Sequence, residues 1–191
     1  MILRIKSIVW LALLGAVGFG IGGLIIGTLI RFLGESVPLA TVGVVVAGAF
    51  GGASIWIGLR RKAWQLALAG AIGFLSGGFL GGPATFFVNF EAGLLEMLRS
   101  VTPVTIGALT GAALSLTISG SFRITICLAA VGILGGIVGL VATSPSVIPF
   151  IIRTNPPSLA WLLFGLQGAI GGTFLGAALG FFKKQIDVQD G

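Results

Sequence analysis

At 191 residues, 56% hydrophobic and only 8% charged, with a mean hydropathy of +1.15, the chain cannot be a soluble globule, in which about a quarter of the residues are charged. Its net charge of +6 comes from eleven basic and five acidic residues scattered singly or in short runs, which excludes a nucleic-acid-binding surface and fits the topology signals of a membrane chain. With no histidine and a lone Cys127 there is no internal disulfide and no ordinary ligand set for zinc, copper or haem, so neither a cofactor nor a metal is expected.

A bilayer core of ~30 Å takes about 20 apolar residues of helix to cross. Runs of that kind predict six spans, over 8–30, 39–59, 63–83, 103–120, 124–143 and 158–182. The first follows "MILRIKS" and is too long for the apolar core of a signal peptide, so it is retained in the fold. It carries the string GAVGFGIGGLIIG (15–27). At about 100° per residue, Gly15, Gly18 and Gly22 form one stripe of small residues, and Ala16, Gly20, Gly23 and Gly27 form a second. Apolar helices in lipid associate through close backbone approach, so two stripes predict two near neighbours. Pro38 stands in the expected first turn of the second span, where its missing N–H costs nothing, and AGAFGGA (47–53) follows.

The third span repeats the first. LRIKSIVWLALLGAVGF (3–19) aligns with LRRKAWQLALAGAIGF (59–74), and GAIGFLSGGFLGG (70–82) returns the glycine string, with Gly70, Gly73, Gly77 and Gly81 set against Ala71, Gly78 and Gly82. After it, FFVNFEAGLLEMLR (86–99) gathers Phe86, Phe90, Leu94 and Met97 on one side of a helical projection and Asn89, Glu96 and Arg99 on the other. That pattern predicts an interfacial helix, with Glu91, Glu96 and Arg99 as candidate contacts to a solute or partner. Pro103 is expected to open the fourth span, which contains GALTGAA (107–113). SFRITICLAAVGILGGIVG (121–139) is a weaker third copy of the odd-span pattern. SPSVIPFIIRTNPP (144–157), with Arg153, is expected to lie along the interface. Pro157 then precedes the sixth span, with Gln167 beside GAIGG (168–172) and Gly168 and Gly171 as packing residues.

The fold class read from these elements is an all-α integral membrane protein. Six transmembrane helices form a compact glycine-zipper bundle in a single membrane domain over 1–191. Three tandem helical hairpins, 1–59, 60–120 and 121–184, are expected around a pseudo-threefold axis along the membrane normal, leaving a short polar tail at 185–191. Eight of the eleven basic residues, Arg4, Lys6, Arg60, Arg61, Lys62, Arg123, Lys183 and Lys184, fall on the side of the termini, and Arg31, Arg99 and Arg153 fall opposite. The positive-inside rule therefore predicts cytoplasmic termini in a cytoplasmic-type membrane, and Trp10, Trp56 and Trp64 fall at the same face.

No charged residue lies in the middle of a predicted span, whereas ion-coupled transporters and proton pumps usually keep one there. The polar residues at depth are Ser54, Ser76, Thr105, Thr110, Ser115, Thr117, Thr125, Gln167 and Thr173. Hydroxyls there bond their own helix backbone. Gln167 either bonds across helices or lines a polar cavity. G-x-S-x-G, H-E-x-x-H and C-x-x-C are all missing, and the G-x-G at 18–20 sits in a membrane span without the strand and acidic partner of a dinucleotide site, so no catalytic residue is expected. The leading reading is a non-catalytic, permease-like or substrate-binding membrane subunit for a small uncharged or weakly polar solute. The alternative is a structural or accessory subunit of a larger membrane complex, a scaffold contacting lipid or pigment. Expected partners are the lipid bilayer and either other membrane subunits or further copies of the chain, with no nucleic acid.

Overall fold

A computed structural model describes residues 2–33, 37–59, 62–86, 94–144 and 160–188, all but a few of them helical. The helices are α1 (Ile2–Leu33), α2 (Val37–Leu59), α3 (Ala63–Phe86), α4 (Leu94–Ile118), α5 (Phe122–Ala142) and α6 (Ala160–Val188). Helix is what the sequence requires once it is in lipid, because the backbone polar groups of such apolar runs have only each other to bond. Five stretches, Ile5–Leu29, Val42–Leu59, Ala63–Leu80, Phe122–Ala142 and Leu162–Ile186, are long and apolar enough to cross a membrane. The chain is thus a helical membrane protein with several spans.

The fourth helix departs from expectation. Its apolar part, Thr102–Ile118, is 17 residues and about 25 Å long, shorter than the other five and than the expected span over 103–120. Pro103 does not open it. The helix starts at Leu94 and runs through Pro103, while α3 continues to Phe86. The expected separate helix over 86–99 is therefore replaced at its C-terminal half by the first turns of α4, which contain Glu96, Met97 and Arg99. Proline inside a helix removes one N–H and frees the carbonyl four residues earlier, here that of Arg99. At the edge of an apolar segment water can take that carbonyl, so the helix continues.

Each helix packs antiparallel on its neighbours in sequence, and α6 returns to α1, closing a ring. Along the closing seam, Ile8 faces Gly180, Leu11 faces Gly176, Gly15 faces Gly172, Phe19 faces Gly168 and Gly23 faces Phe164. The contact climbs α1 by three or four residues as it descends α6 by four, as ridges of i,i+4 side chains require. The middle of the ring is filled by Leu11, Phe19, Ile55, Leu66, Leu114, Leu128, Leu179 and Ile186, all at most 2% exposed. Phe19 and Phe74 stack there with ring centroids 5.4 Å apart. They occupy the same place in the two glycine strings. Val17, Ile57, Phe79, Leu80, Leu116 and Ile126 point outward instead.

Aligned by their contacts, the three odd helices carry one pattern, L-A-x-x-G-x-x-G-x-x-x-G, at 11–22, 66–77 and 128–139. Its first glycine meets a glycine of the preceding even helix backbone to backbone: Gly70 meets Gly48, Gly132 meets Gly107, and Gly15 meets Gly172. In each pair a Cβ on either residue would land on the carbonyl of the other. One turn away, Gly52, Gly111 and Gly176 sit against the leading leucines Leu66, Leu128 and Leu11.

The later glycines of the pattern turn to the other neighbour. Gly18 faces Ser54 and the carbonyl of Phe50, Gly22 faces Ala47 of α2, and Gly73 and Gly77 face Leu109, Thr110 and Ile106 of α4. The stripes expected from the helical projection are therefore redrawn: Gly15 belongs with Gly20 and Gly23 on α6, and Gly70 faces α2 alone. A step of three residues turns a side chain by about 60°, which carries it from one neighbour toward the next. The α5/α6 seam breaks the register. By analogy with the other hairpins Gly139 should meet Gly171, but it faces Gln167, and Gly135 meets Gly171 in its place, a slip of about one turn.

Candidate functional site

The slipped α5/α6 seam carries Gln167, the amide that among the described residues lies farthest from the helix ends. Gln167 Nε2 donates to Thr143 Oγ1 at 2.8 Å, and that hydroxyl donates to the carbonyl of Gly139 at 2.9 Å. Thr143 sits at the C-terminal end of α5, where helix carbonyls have no helical partner. Of the two readings of Gln167, the bond across helices is the one observed. Space around it is generous by the standard of the other seams. A Cβ on Gly139 would lie 3.5 Å from Gln167, and one on Gly171 would meet nothing within 4 Å.

The remaining candidates fall as follows. Glu91 and Arg153 lie outside the described residues. Glu96 and Arg99 lie in the first turns of α4. Gly18, Gly22, Gly73 and Gly77 line the α1/α2 and α3/α4 seams, Gly23 and Gly168 line the α1/α6 seam, a Cβ on Gly78 would lie 3.6 Å from Val44, and Gly27 is buried in α1.

Most hydroxyls at depth bond backbone. Ser54 reaches the carbonyl of Gly51 at 2.8 Å, Thr117 that of Ala113 at 2.9 Å and Thr173 that of Ala169 at 2.8 Å. Thr105 crosses to the carbonyl of Gly77 on α3 at 2.9 Å, and Ser115 on α4 bonds Thr125 on α5 at 3.0 Å. Two buried hydroxyls, Thr102 Oγ1 and Thr110 Oγ1, have no partner. Thr110 is fully buried beside the contact with Gly73, where the equivalent positions of the other hairpins are Gly51 and Leu175.

The side chains of this seam offer amide and hydroxyl hydrogen bonding. Among the described residues no group of three metal-ligating side chains gathers. Two shallow, open hollows lie on the outer face of α1, one lined by Ile21, Leu24, Ile25, Thr28 and Leu29 and the other by Ile5, Lys6, Val9, Trp10 and Leu13. At the end of the ring that holds both chain termini, Lys6, Lys62, Arg123 and Lys184 are exposed, together with Trp10, Trp56, Trp64 and Phe122. Sequence reasoning missed Thr143, the last residue of the expected fifth span, whose 24-residue separation from Gln167 gains meaning only when it is placed on an antiparallel seam. It also gave Thr110 no special standing, since nothing in the sequence tells a threonine that bonds its helix from one that does not. Comparison with family models, with curated proteins and with solved structures finds no match to this chain.

Proposed function

We propose that the chain is a non-catalytic scaffold of a cytoplasmic-type membrane, an accessory subunit whose ring docks by its apolar exterior onto a larger membrane complex. The observation that carries this reading is the filled ring centre, where the stacked Phe19 and Phe74 pack with fully buried leucines from five helices. The lack of any charged residue in the apolar body of the helices agrees with it, because a coupled transporter would need one. In this proposal the ring is a glycine zipper built from three hairpins, 1–59, 60–120 and 121–184, around a pseudo-threefold axis. The three Gly–Gly approaches and the stacking of two phenylalanines from equivalent places support that arrangement. The excess of basic residues at one end supports cytoplasmic termini.

The test is purification from the native membrane in lipid nanodiscs, with native mass spectrometry and, in parallel, proteoliposome uptake. A fixed stoichiometry with another membrane chain and proteoliposomes no more permeable to glycerol or urea than empty ones is the expected result. A lone chain that raises permeability would overturn the scaffold reading. That outcome would favour the second reading, a permease-like or substrate-binding subunit for an uncharged solute, for which the roomy α5/α6 seam with its Gln167–Thr143 bond is the supporting observation. For the topology, cysteines placed at positions 31, 61, 99 and 153 are probed with an impermeant thiol reagent. External labelling of 31, 99 and 153 and protection of 61 are expected, and external labelling of 61 would reverse the orientation.

A further inference from the structure

We infer that the groove at the N-terminal end of α1 holds one anionic phospholipid. Its walls are two i,i+4 ridges of the outer face, Ile5–Val9–Leu13 and Lys6–Trp10, and all five residues are exposed, the four apolar ones between 52% and 55%. The furrow is apolar along its length and cationic at its mouth. An acyl chain lies against Val9 and Leu13, the Trp10 indole sits at the level of the ester groups, where amphipathic rings collect, and the phosphate meets the Lys6 ammonium.

A second cation stands at the same height. Gly180 of α6 packs on Ile8, so Lys184, one turn further along α6, is level with residue 4 of α1, and Lys184 is exposed. Lys184 therefore adds positive charge at this end of the molecule, while Lys6 is the cation that lines the furrow. The groove farther along α1, lined by Ile21, Leu24, Ile25, Thr28 and Leu29, has no cation among its walls and is not assigned an anionic lipid. The charge of the described residues agrees: Lys6, Lys62, Arg123 and Lys184 are all exposed at this end. A juxtamembrane lysine attracts anionic lipid by a factor of about five.

The experiment uses the full chain with Trp10 as its sole tryptophan (Trp56→Phe, Trp64→Phe, Trp161→Phe) in nanodiscs of phosphatidylcholine containing a small fraction of brominated lipid. Brominated phosphatidylglycerol is expected to quench Trp10 at about one fifth of the mole fraction that brominated phosphatidylcholine needs. Lys6→Gln should remove most of that preference, Lys6→Arg should restore it, and Lys62→Gln, at the same end on another helix, should leave it intact. Equal quenching by the two lipids would overturn the proposal. So would an equal loss on Lys62→Gln, which would mean diffuse surface attraction, and so would displacement by inorganic phosphate beyond that by chloride of equal ionic strength, which would mean a free-anion site.

Discussion

Helix α6 lies between two neighbours and treats them differently. Toward α1 it offers Gly168, Gly172, Gly176 and Gly180, and a Cβ added at any of these would strike backbone of α1. Toward α5 it offers Gly171, where a Cβ would meet nothing within 4 Å although one on Gly135 would lie 3.1 Å from the Gly171 backbone, and Gln167, which bonds Thr143. The first flank is held by many weak dispersion contacts between backbones that touch; the second is held more by a polar bond across a wider gap. Small residues tighten a seam only when their register brings them face to face. On the α5 side a slip of about one turn sets Gly139 against an amide in place of Gly171, and most of the close approach is lost.

Substitutions should divide along that line. Gly172→Leu forces a branched side chain into the carbonyl of Gly15 and should cost about 3 kcal/mol or more, read as a collapse of the unfolding midpoint in detergent. A stability within about 1 kcal/mol of wild type would mean that α6 is not seated on α1 as described. On the hairpin seam that keeps the regular register, Thr110→Val removes a buried hydroxyl with no partner and should raise stability by about 1 kcal/mol, whereas a loss would show that the hydroxyl is satisfied. Gln167→Leu and Thr143→Val should each cost about 0.6 kcal/mol, and the double variant little more than either, because they break one bond. Additive losses in that cycle would place the two side chains in separate interactions. Gly171→Ala, facing open space, should change stability by less than about 0.5 kcal/mol.

The sequence showed these two flanks unequally. Helices α1, α2, α3 and α5 were legible from uninterrupted apolar length, because lipid allows little else. The start of α4 was not: amphipathic residues 94–99 read as part of an interfacial helix and Pro103 as the first turn of a new span, while one helix runs through both. That two glycine faces mean two neighbours could be read from GAVGFGIGG, but the neighbour for each glycine could not. The choice depends on a 60° turn and on which helices stand adjacent, and adjacency is a property of the ring. The full likeness of the third copy stayed hidden for a related reason. In LAAVGILGGIVG the aromatic of the first two copies is replaced, and only the contacts of Leu128 and Gly132 restore the alignment. Of the candidate site residues, Gln167 was legible because an amide in an apolar span needs a partner, but its partner Thr143 was not, since the slip that brings them together is set by packing.

The closure of α6 on α1 is the feature on which the ring, its filled centre and the use of the glycines inside one chain all depend. In a Cys127→Ser background, Gly20→Cys with Ala169→Cys puts two sulfur-bearing carbons within reach, since a Cβ on Gly20 lies 3.2 Å from that of Ala169, close to the Cβ separation of about 3.5–4.5 Å across a disulfide. Mild oxidation in the membrane should join residues 20 and 169 within a single chain, giving a monomer whose bond is found by mass spectrometry between those two positions at any dilution of the protein in lipid. Crosslinks that form only between chains and fade on dilution would contradict the account, because the glycine face of α1 would then belong to a partner.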